Sequence, residues 1–284
     1  MDSPWTGFSG KWMMIKKIQH PLFANIIDRV TISVLVHGHY YGERDWGFTD
    51  DHVAYDRLYF VLNGKGWLSH GKQKIPLSKG NIYLIPVNTS YTAGTDSTIE
   101  KFYIHFRFEL YPGKDVFDDL GEVRSMPIDD MSRLRGMIAL TGRKKLGDIM
   151  RVKAFLLSSL AGFADIDIDS LARDAAIAER YRALFSHLEH GAFDTLSIGS
   201  IARAMGMSVS GLSRAFFRDT GETIRAYRDR KLMRRAKDLL VLTARSVKDV
   251  ARELGFNDEF YFSRYFKKQT GFSPADYRVR NAVR

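Results

Sequence analysis

Residues 213–221 read SRAFFRDTG, and fifty residues later residues 263–271 read SRYFKKQTG. The match extends to Tyr227-Arg228 and Tyr277-Arg278, which keep the same spacing. Self-similarity at a fixed separation indicates a duplicated supersecondary unit. The C-terminal third of this 284-residue chain is therefore predicted to contain two copies of one unit.

Each copy is predicted to be a helix, a sharp turn and a second helix. Before the turn, apolar residues at i, i+3, i+4 and i+7 share one helical face. Gly206 and Gly255 follow where the chain has to turn, and Ser208 and Asp258 are positioned to cap the second helices. The apolar residues are Ile198, Ile201, Ala202 and Met205 in one copy and Val247, Val250, Ala251 and Leu254 in the other.

The second helix of each copy is apolar on one side and polar on the other. Leu212 and Phe216 should pack inward, as should Phe262 and Phe266. Arg and small polar groups on the outer side suit a DNA major groove, where Arg can form two hydrogen bonds to guanine; for a single copy, a solvated helical hairpin is the alternative. The outward-facing residues are Ser210, Ser213, Arg214 and Arg218 in the first copy and Glu259, Phe260, Ser263, Arg264 and Lys268 in the second.

Basic charge is concentrated in the same region. From residue 178 onward there are 21 Lys and Arg against 12 Asp and Glu, whereas the first 177 residues hold 22 against 21. Such a field attracts nucleic acid through counterion release. Between the copies, residues 223–242 are predicted to form a helix roughly 30 Å long. Because successive major grooves are about 34 Å apart, one chain could place both second helices in adjacent grooves.

Residues 197–278 resemble the double helix-turn-helix domain of the AraC/XylS family of bacterial transcription regulators. The run 251–268 and the segment Thr270-Gly271-Phe272-Ser273-Pro274 match its signature. The resemblance implies a regulator that is not an enzyme, with double-stranded DNA as partner and contact with RNA polymerase. It also implies base-reading positions at Ser210, Ser213, Arg214, Glu259, Phe260 and Arg264. Phe217 departs from the family pattern, in which a basic residue is common.

The first half of the chain is predicted to be all-β. Short β-prone runs occupy residues 31–36, 58–62, 66–69, 81–86 and 101–108, with turns at 63–66 and 70–71. Residues 57–64 and 77–86 resemble, more weakly, the cupin-like effector domain of the same family. The expected fold class is thus two-domain α+β, with an N-terminal cupin-like barrel, a helical connector and a C-terminal all-α double helix-turn-helix domain.

A small polar effector, for example a sugar, is the expected ligand of this barrel. Counted from Gly64 and Pro86, the places where metal-dependent cupins carry ligands hold Asp50, His52, Arg57 and Tyr91. Arg in place of a carboxylate would repel a cation, so no metal and no other cofactor is expected. Arg57 suits a ligand with hydroxyl, carboxylate or phosphate oxygens. The candidate effector residues are Trp46, His52, Arg57, Tyr59 and Tyr91, although each aromatic ring could equally be core.

The connector between the domains is predicted to be helical. Residues 149–163 have an amphipathic pattern, and in the resembling family a helix here often pairs two protomers, so a homodimer is expected; packing against its own barrel is the alternative. A further helix is predicted over residues 171–188. The expected domains are residues 1–125 for effector binding, 126–177 for the connector and 178–284 for DNA binding.

Composition excludes several other classes. The chain has no cysteine, so disulfides, thiolate metal sites and alkyl transfer to a protein thiol are excluded. No run approaches the roughly 20 apolar residues of a membrane span, and residues 1–20 lack a secretory pattern. A cytoplasmic protein with no membrane partner is therefore expected, and the family resemblance implies a bacterial, nucleoid-associated activator. Two alternatives remain: a barrel that binds no ligand and serves dimerisation or partner contact, and a cupin enzyme domain tethered to a DNA-binding tail.

Overall fold

A computed structural model of the protein describes residues 31–44, 46–50, 53–165, 168–190 and 198–281. Its first part is rich in strands and its second part is helical. The strands are β1 (Thr31–Gly42), β2 (Gly47–Asp50), β3 (Asp56–His70), β4 (Gln73–Ser78), β5 (Asn81–Ile85), β6 (Tyr91–Gly94), β7 (Ile99–Tyr111), β8 (Lys114–Asp115) and β9 (Arg124–Pro127). The described helices are α1 (Met131–Leu140), α2 (Leu146–Ala161), α3 (Ile168–Arg180), α4 (Arg182–His190), α5 (Ile198–Ala204), α6 (Val209–Thr220), α7 (Ile224–Leu242), α8 (Val247–Glu253), α9 (Glu259–Thr270) and α10 (Pro274–Asn281).

Strand β3 joins two groups of strands. Its first half pairs with β5 and β7, and its second half pairs with β4 and β6. The change of partners occurs near Gly64, which has a φ of +70°. A Cβ at this position would lie 2.1 Å from the carbonyl oxygen of Thr98, so only glycine fits there. The predicted turn at residues 63–66 is therefore wrong: the glycine bends one continuous strand instead of separating two.

The long antiparallel strands β3 and β7 have two different faces. Leu58, Phe60 and Phe106 point to one side and pack with Leu156 and Leu160 of α2. The neighbouring odd-numbered positions of both strands point to the other side, here called the inner face, because successive side chains alternate. The second core, on this side, is formed by Tyr59, Val61, Leu68, Tyr91 and Trp46. The sheet is therefore covered on one side by helices and lines a separate core on the other.

The strand pairings give a curved sheet that is open. Its main path runs β1-β7-β3-β5-β9, and β2, β4, β6 and β8 attach beside it. Among the described strands no pairing joins β1 to β9. The prediction of a sheet-rich first part followed by a helical second part is confirmed, whereas closure into a barrel is not shown.

The two predicted helix-turn-helix units form as α5 with α6 and as α8 with α9. Gly206 and Gly255 have φ of +66° and +81° in the two turns. Helix α7 packs its first part in the core of the first unit and its later part in that of the second. The predicted single helix over residues 171–188 is instead two helices that meet at Tyr181, whose ring is fully buried. The four residues predicted to pack inward are fully buried: Leu212, Phe216, Phe262 and Phe266.

Candidate nucleic-acid interface and ligand site

The N-termini of the two second helices are fixed by side-chain caps. Ser208 Oγ accepts the backbone N–H of Gly211 at 3.1 Å. Asp258 is the equivalent cap of α9, and its two carboxylate oxygens accept the N–H groups of Phe260 and Tyr261 at 3.0 and 2.9 Å. Capping satisfies amide groups that have no partner within the helix. Helices α6 and α9 therefore each begin at a defined residue, and the residues that lie on the outer face follow from that start.

The outer face of α6 carries the first predicted set of DNA contacts. Ser210, Arg214 and Arg218 are exposed, and Ser213 is half-buried. Arg218 Nε donates to Asp219 Oδ1 at 3.0 Å, and the other oxygen of Asp219 accepts from Tyr181 at 2.8 Å. Burial raises the pKa of Asp219, but the hydrogen bonds from Tyr181 and Arg218 outweigh it and the net pKa is lowered. An ionised Asp219 thus anchors the end of α6 to the preceding helices.

The outer face of α9 carries the second set. Phe260 is 71% exposed, and the side chain of Arg264 is equally exposed. Lys268 is exposed, whereas Glu259 and Ser263 are half-buried. An exposed ring beside an exposed guanidinium can contact a thymine methyl group and a guanine edge side by side. Phe217 on α6 is also exposed, at 55%.

Helix α7 does not present its basic residues as one surface. Arg225 is exposed at 82% of its side chain, and Arg235 pairs with Glu253 at 3.2 Å. Arg230 donates to the carbonyl oxygen of Gly113, and Arg234 pairs with Glu109 at 2.5 Å. Two arginines of this basic helix therefore contact the strand-rich part of the chain.

The inner face of the sheet brings together most of the predicted effector residues. Arg57 is buried, and its guanidinium carbon lies 5.0 Å from the ring centre of Tyr91. The hydroxyl groups of Tyr59 and Tyr91 are hydrogen-bonded at 2.8 Å. Trp46 is buried in the same cluster. His52 lies outside the described residues.

Two further groups on β7 belong to this inner face and were missed by sequence reasoning. The Lys101 ammonium lies 3.7 Å from the ring centre of Tyr59 and 4.6 Å from that of Trp46. His105 is opposite Arg57 across the β3–β7 ladder. Burial, and then the positive charges of Arg57 and Lys101, hold the pKa of His105 well below its usual range. Polar and apolar residues alternate along β7, and this pattern places Lys101 and His105 on the same face of the strand. Which face lies inward depends on the pairing of β7 with β3.

The described residues contain no group of three or more His, Cys, Asp or Glu side chains that could hold a metal ion. Among the helices that the structure describes, none is long and apolar enough to cross a membrane.

Two helix-turn-helix units in one helical region define a DNA-binding protein of the double helix-turn-helix class. A helix-turn-helix family model matches residues 201–280. The transcriptional activator RhaR of Mannheimia succiniciproducens is 32% identical over 236 residues, which cover 80% of this chain and 85% of that protein. The arabinose operon regulatory protein of Salmonella typhimurium is 28% identical over 240 residues, covering 78% and 83%.

Structural comparison agrees at the level of the fold. An apo variant of ToxT from Vibrio cholerae superposes with a TM-score of 0.51 at 12% identity, covering 87% of this chain and 97% of ToxT. The chain belongs to the AraC/XylS family of transcription regulators.

Proposed function

We propose that the protein is a transcription activator that reads DNA with both outer helix faces and responds to a small polar effector bound on the inner face of its sheet. The observation that carries the DNA part is the repeated geometry: α6 and α9 are capped at equivalent positions, bury equivalent residues and expose an arginine one turn into the helix. Activation is proposed because the relative RhaR is named as an activator. The DNA contacts would be made by Ser210, Ser213, Arg214, Arg218, Glu259, Phe260, Ser263, Arg264 and Lys268.

Selection from random double-stranded DNA tests this reading. We expect enrichment of a site with two conserved blocks about 10 base pairs apart, one block for each unit. On the selected duplex, Arg264→Ala should cost roughly 1–3 kcal/mol of binding free energy and relax the base preference of one block only. Arg124→Ala, which removes a comparably exposed arginine from β9, is the control and should bind normally. An equal loss on random DNA would mean that Arg264 contacts only phosphate.

The effector site is proposed at Trp46, His52, Arg57, Tyr59 and Tyr91, together with Lys101 and His105. Buried aromatic rings beside hydrogen-bonding and cationic groups suit a ligand with several hydroxyl groups. In this proposal the inner face is the interior of a cupin-like barrel. A carbohydrate is favoured because two of the relatives are arabinose operon regulatory proteins.

A thermal-shift screen tests the effector proposal. The panel contains mono- and disaccharides, sugar acids and sugar phosphates, and a ligand specific to the folded protein should raise its melting temperature. Tyr91→Phe removes one hydroxyl group of the inner face and Arg57→Ala removes its guanidinium, so both should abolish a selective shift. Tyr111→Phe, on a tyrosine that lies against α4, should leave the shift unchanged. If no compound in the panel raises the melting temperature, the effector belongs to another chemical class.

A second candidate role for the strand-rich part is dimerisation without a ligand. Leu146, Ile149 and Met150 of α2 are 71%, 55% and 62% exposed, although α2 also packs on its own sheet through Leu156 and Leu160. These exposed apolar groups favour a homodimer, whether or not the inner face binds an effector. Contact with RNA polymerase and the domain limits at residues 125 and 177 are part of the same proposal.

A further inference from the structure

The odd-numbered side chains of β7 form one row along the strand. The row begins on the inner face of the sheet and ends at the helical DNA-binding part. Lys101, Tyr103 and His105 occupy odd-numbered positions in its first part and lie on the inner face. The next odd-numbered positions contact helices α4 and α7. Successive positions on one face of a strand are roughly 7 Å apart, and the backbone between them is held by sheet hydrogen bonds. These next positions are Arg107, Glu109 and Tyr111.

Arg107 contacts both the residues beside the inner face and helix α7. Its Nε donates to the carbonyl oxygen of Ala54 at 3.2 Å. The adjacent Tyr55 stacks on His105, with ring centres 5.0 Å apart, and Arg57 lies 5.1 Å from the same tyrosine ring. The Arg107 guanidinium also pairs with Asp238 of α7. Both partners are largely buried, with exposed side-chain fractions of 17% and 19%.

Other residues near this ion pair, in β7 and just after it, also contact α7. Glu109 pairs with Arg234, and the carbonyl oxygens of Pro112 and Gly113 accept hydrogen bonds from Tyr227 and Arg230. Tyr227 is buried in the core of the first helix-turn-helix unit. Later residues of α7 are buried in the core of the second unit. A shift of α7 therefore changes the positions of α6 and α9, the recognition helices of the two units, together. These later residues are Met233, Ala236 and Leu240.

We propose that β7 couples the inner face to the DNA-binding units, and that the Arg107–Asp238 ion pair is the contact through which a change at Tyr55 and His105 alters how α7 is held. This inference rests on the proposed effector site and specifies its regulation. A largely buried ion pair suits such a role, because removing one charge leaves the other desolvated and without compensation. Two sites coupled in this way must show a non-additive free energy when both are changed.

A double-mutant cycle tests the coupling without an identified effector. Tyr55→Leu removes the ring that stacks on His105, and Tyr55→Phe is its matched control because it keeps the ring. Asp238→Asn removes the charge but keeps the shape of the side chain. In the wild-type background Tyr55→Leu should change the dissociation constant for the selected duplex three- to tenfold, although Tyr55 is buried in the strand-rich part. In the Asp238→Asn background that effect should fall below twofold.

Glu253→Gln is the control for the second site. Glu253 is 25% exposed and pairs with Arg235 and Arg245 inside the helical part, so its loss should leave the Tyr55→Leu effect intact. The same proteins are compared without DNA by amide hydrogen exchange of α7, where Tyr55→Leu should lower protection only when Asp238 is present. Additive effects in both measurements would overturn the coupling, as would an unchanged duplex affinity and α7 exchange in Tyr55→Leu. Either result would leave specific DNA binding and the thermal-shift response standing.

Discussion

Asp56 and Asp115 are two buried carboxyl groups close enough to raise or lower each other's pKa. Asp56 also accepts the N–H of Val87 at 2.8 Å, and Asp115 accepts the N–H groups of Phe108 and Phe117. Burial raises the pKa of Asp115 to about 6, and burial together with the charge of Asp115 raises the pKa of Asp56 well above its usual range. Since both pKa values are raised in the folded state, the folded protein binds more protons than the unfolded chain. The stability that Asp115 contributes is fully present below about pH 4, the ordinary pKa of an aspartate, and is lost as the pH rises through about 6, and the raised pKa of Asp56 adds a loss in the same direction.

Replacing one of these carboxyl groups should therefore stabilise the protein at high pH. In Asp56→Asn the side-chain oxygen can still accept from Val87, and the new amide can donate to Asp115. We expect the free energy of unfolding in urea to rise by roughly 1–3 kcal/mol at pH 8 and to change little at about pH 4. Asp129→Asn, at an exposed position, should have no effect at either pH. A loss of stability at both pH values would show that the ionised carboxyl group does not destabilise the folded protein at high pH.

At the scale of the secondary-structure elements, α2 has two different ends. Its Leu156 and Leu160 bury against the sheet, but Leu146 and Met150 at its start remain exposed. A groove of about 310 Å³ lies beside this exposed start. An exposed apolar helix end next to an apolar groove is typical of a surface that pairs with another chain. The residues that line the groove include Ile32, Phe102 and Ile149.

The same surface makes a prediction about oligomeric state. Leu146→Asp combined with Met150→Asp should shift a dimer to monomer in sedimentation velocity, because it places two charges where apolar groups would be buried. Ser158→Asp, on the exposed side of the same helix, is the control and should leave the dimer intact. A wild-type protein that sediments as a monomer at micromolar concentration, or a double variant that stays dimeric, would contradict dimerisation through α2.

Local signals predicted the helical elements closely. The helices of both units, their caps at Ser208 and Asp258 and the extent of α7 follow from helical periodicity, capping residues and glycines. All of these act within a few residues of the chain. The outward side of each recognition helix follows from the same periodicity, so Arg214 and Arg264 could be placed on the exposed face in advance.

Features that depend on distant partners were not predicted. The continuity of β3 through Gly64 depends on the approach of Thr98, more than thirty residues away. Lys101 and His105 belong to the inner face only because β7 pairs with β3 in one particular register. A shift of one residue would have put both on the opposite face. The aromatic cluster was expected as a set of residues, but its two additional basic groups required the register.

At the scale of the whole molecule, α7 is one of the helices through which the two parts of the protein meet. It holds both recognition units through its apolar side and contacts β7 and the following loop through Asp238, Arg234, Arg230 and Tyr227. The sequence of α7 is rich in arginine and lysine. The structure shows that such a helix can use arginines to dock on its own protein, which sequence composition alone does not distinguish from contacts with DNA phosphates.

Guanine methylation interference on the selected duplex measures most directly whether one protomer reads two successive major grooves, because the methylated N7 atom lies in the major groove. We predict two clusters of interfering guanines about 10 base pairs apart on one face of the duplex. Arg214→Ala should abolish one cluster and Arg264→Ala the other. A single cluster, or the loss of both clusters in either variant, would contradict a reader with two independent helix-turn-helix units.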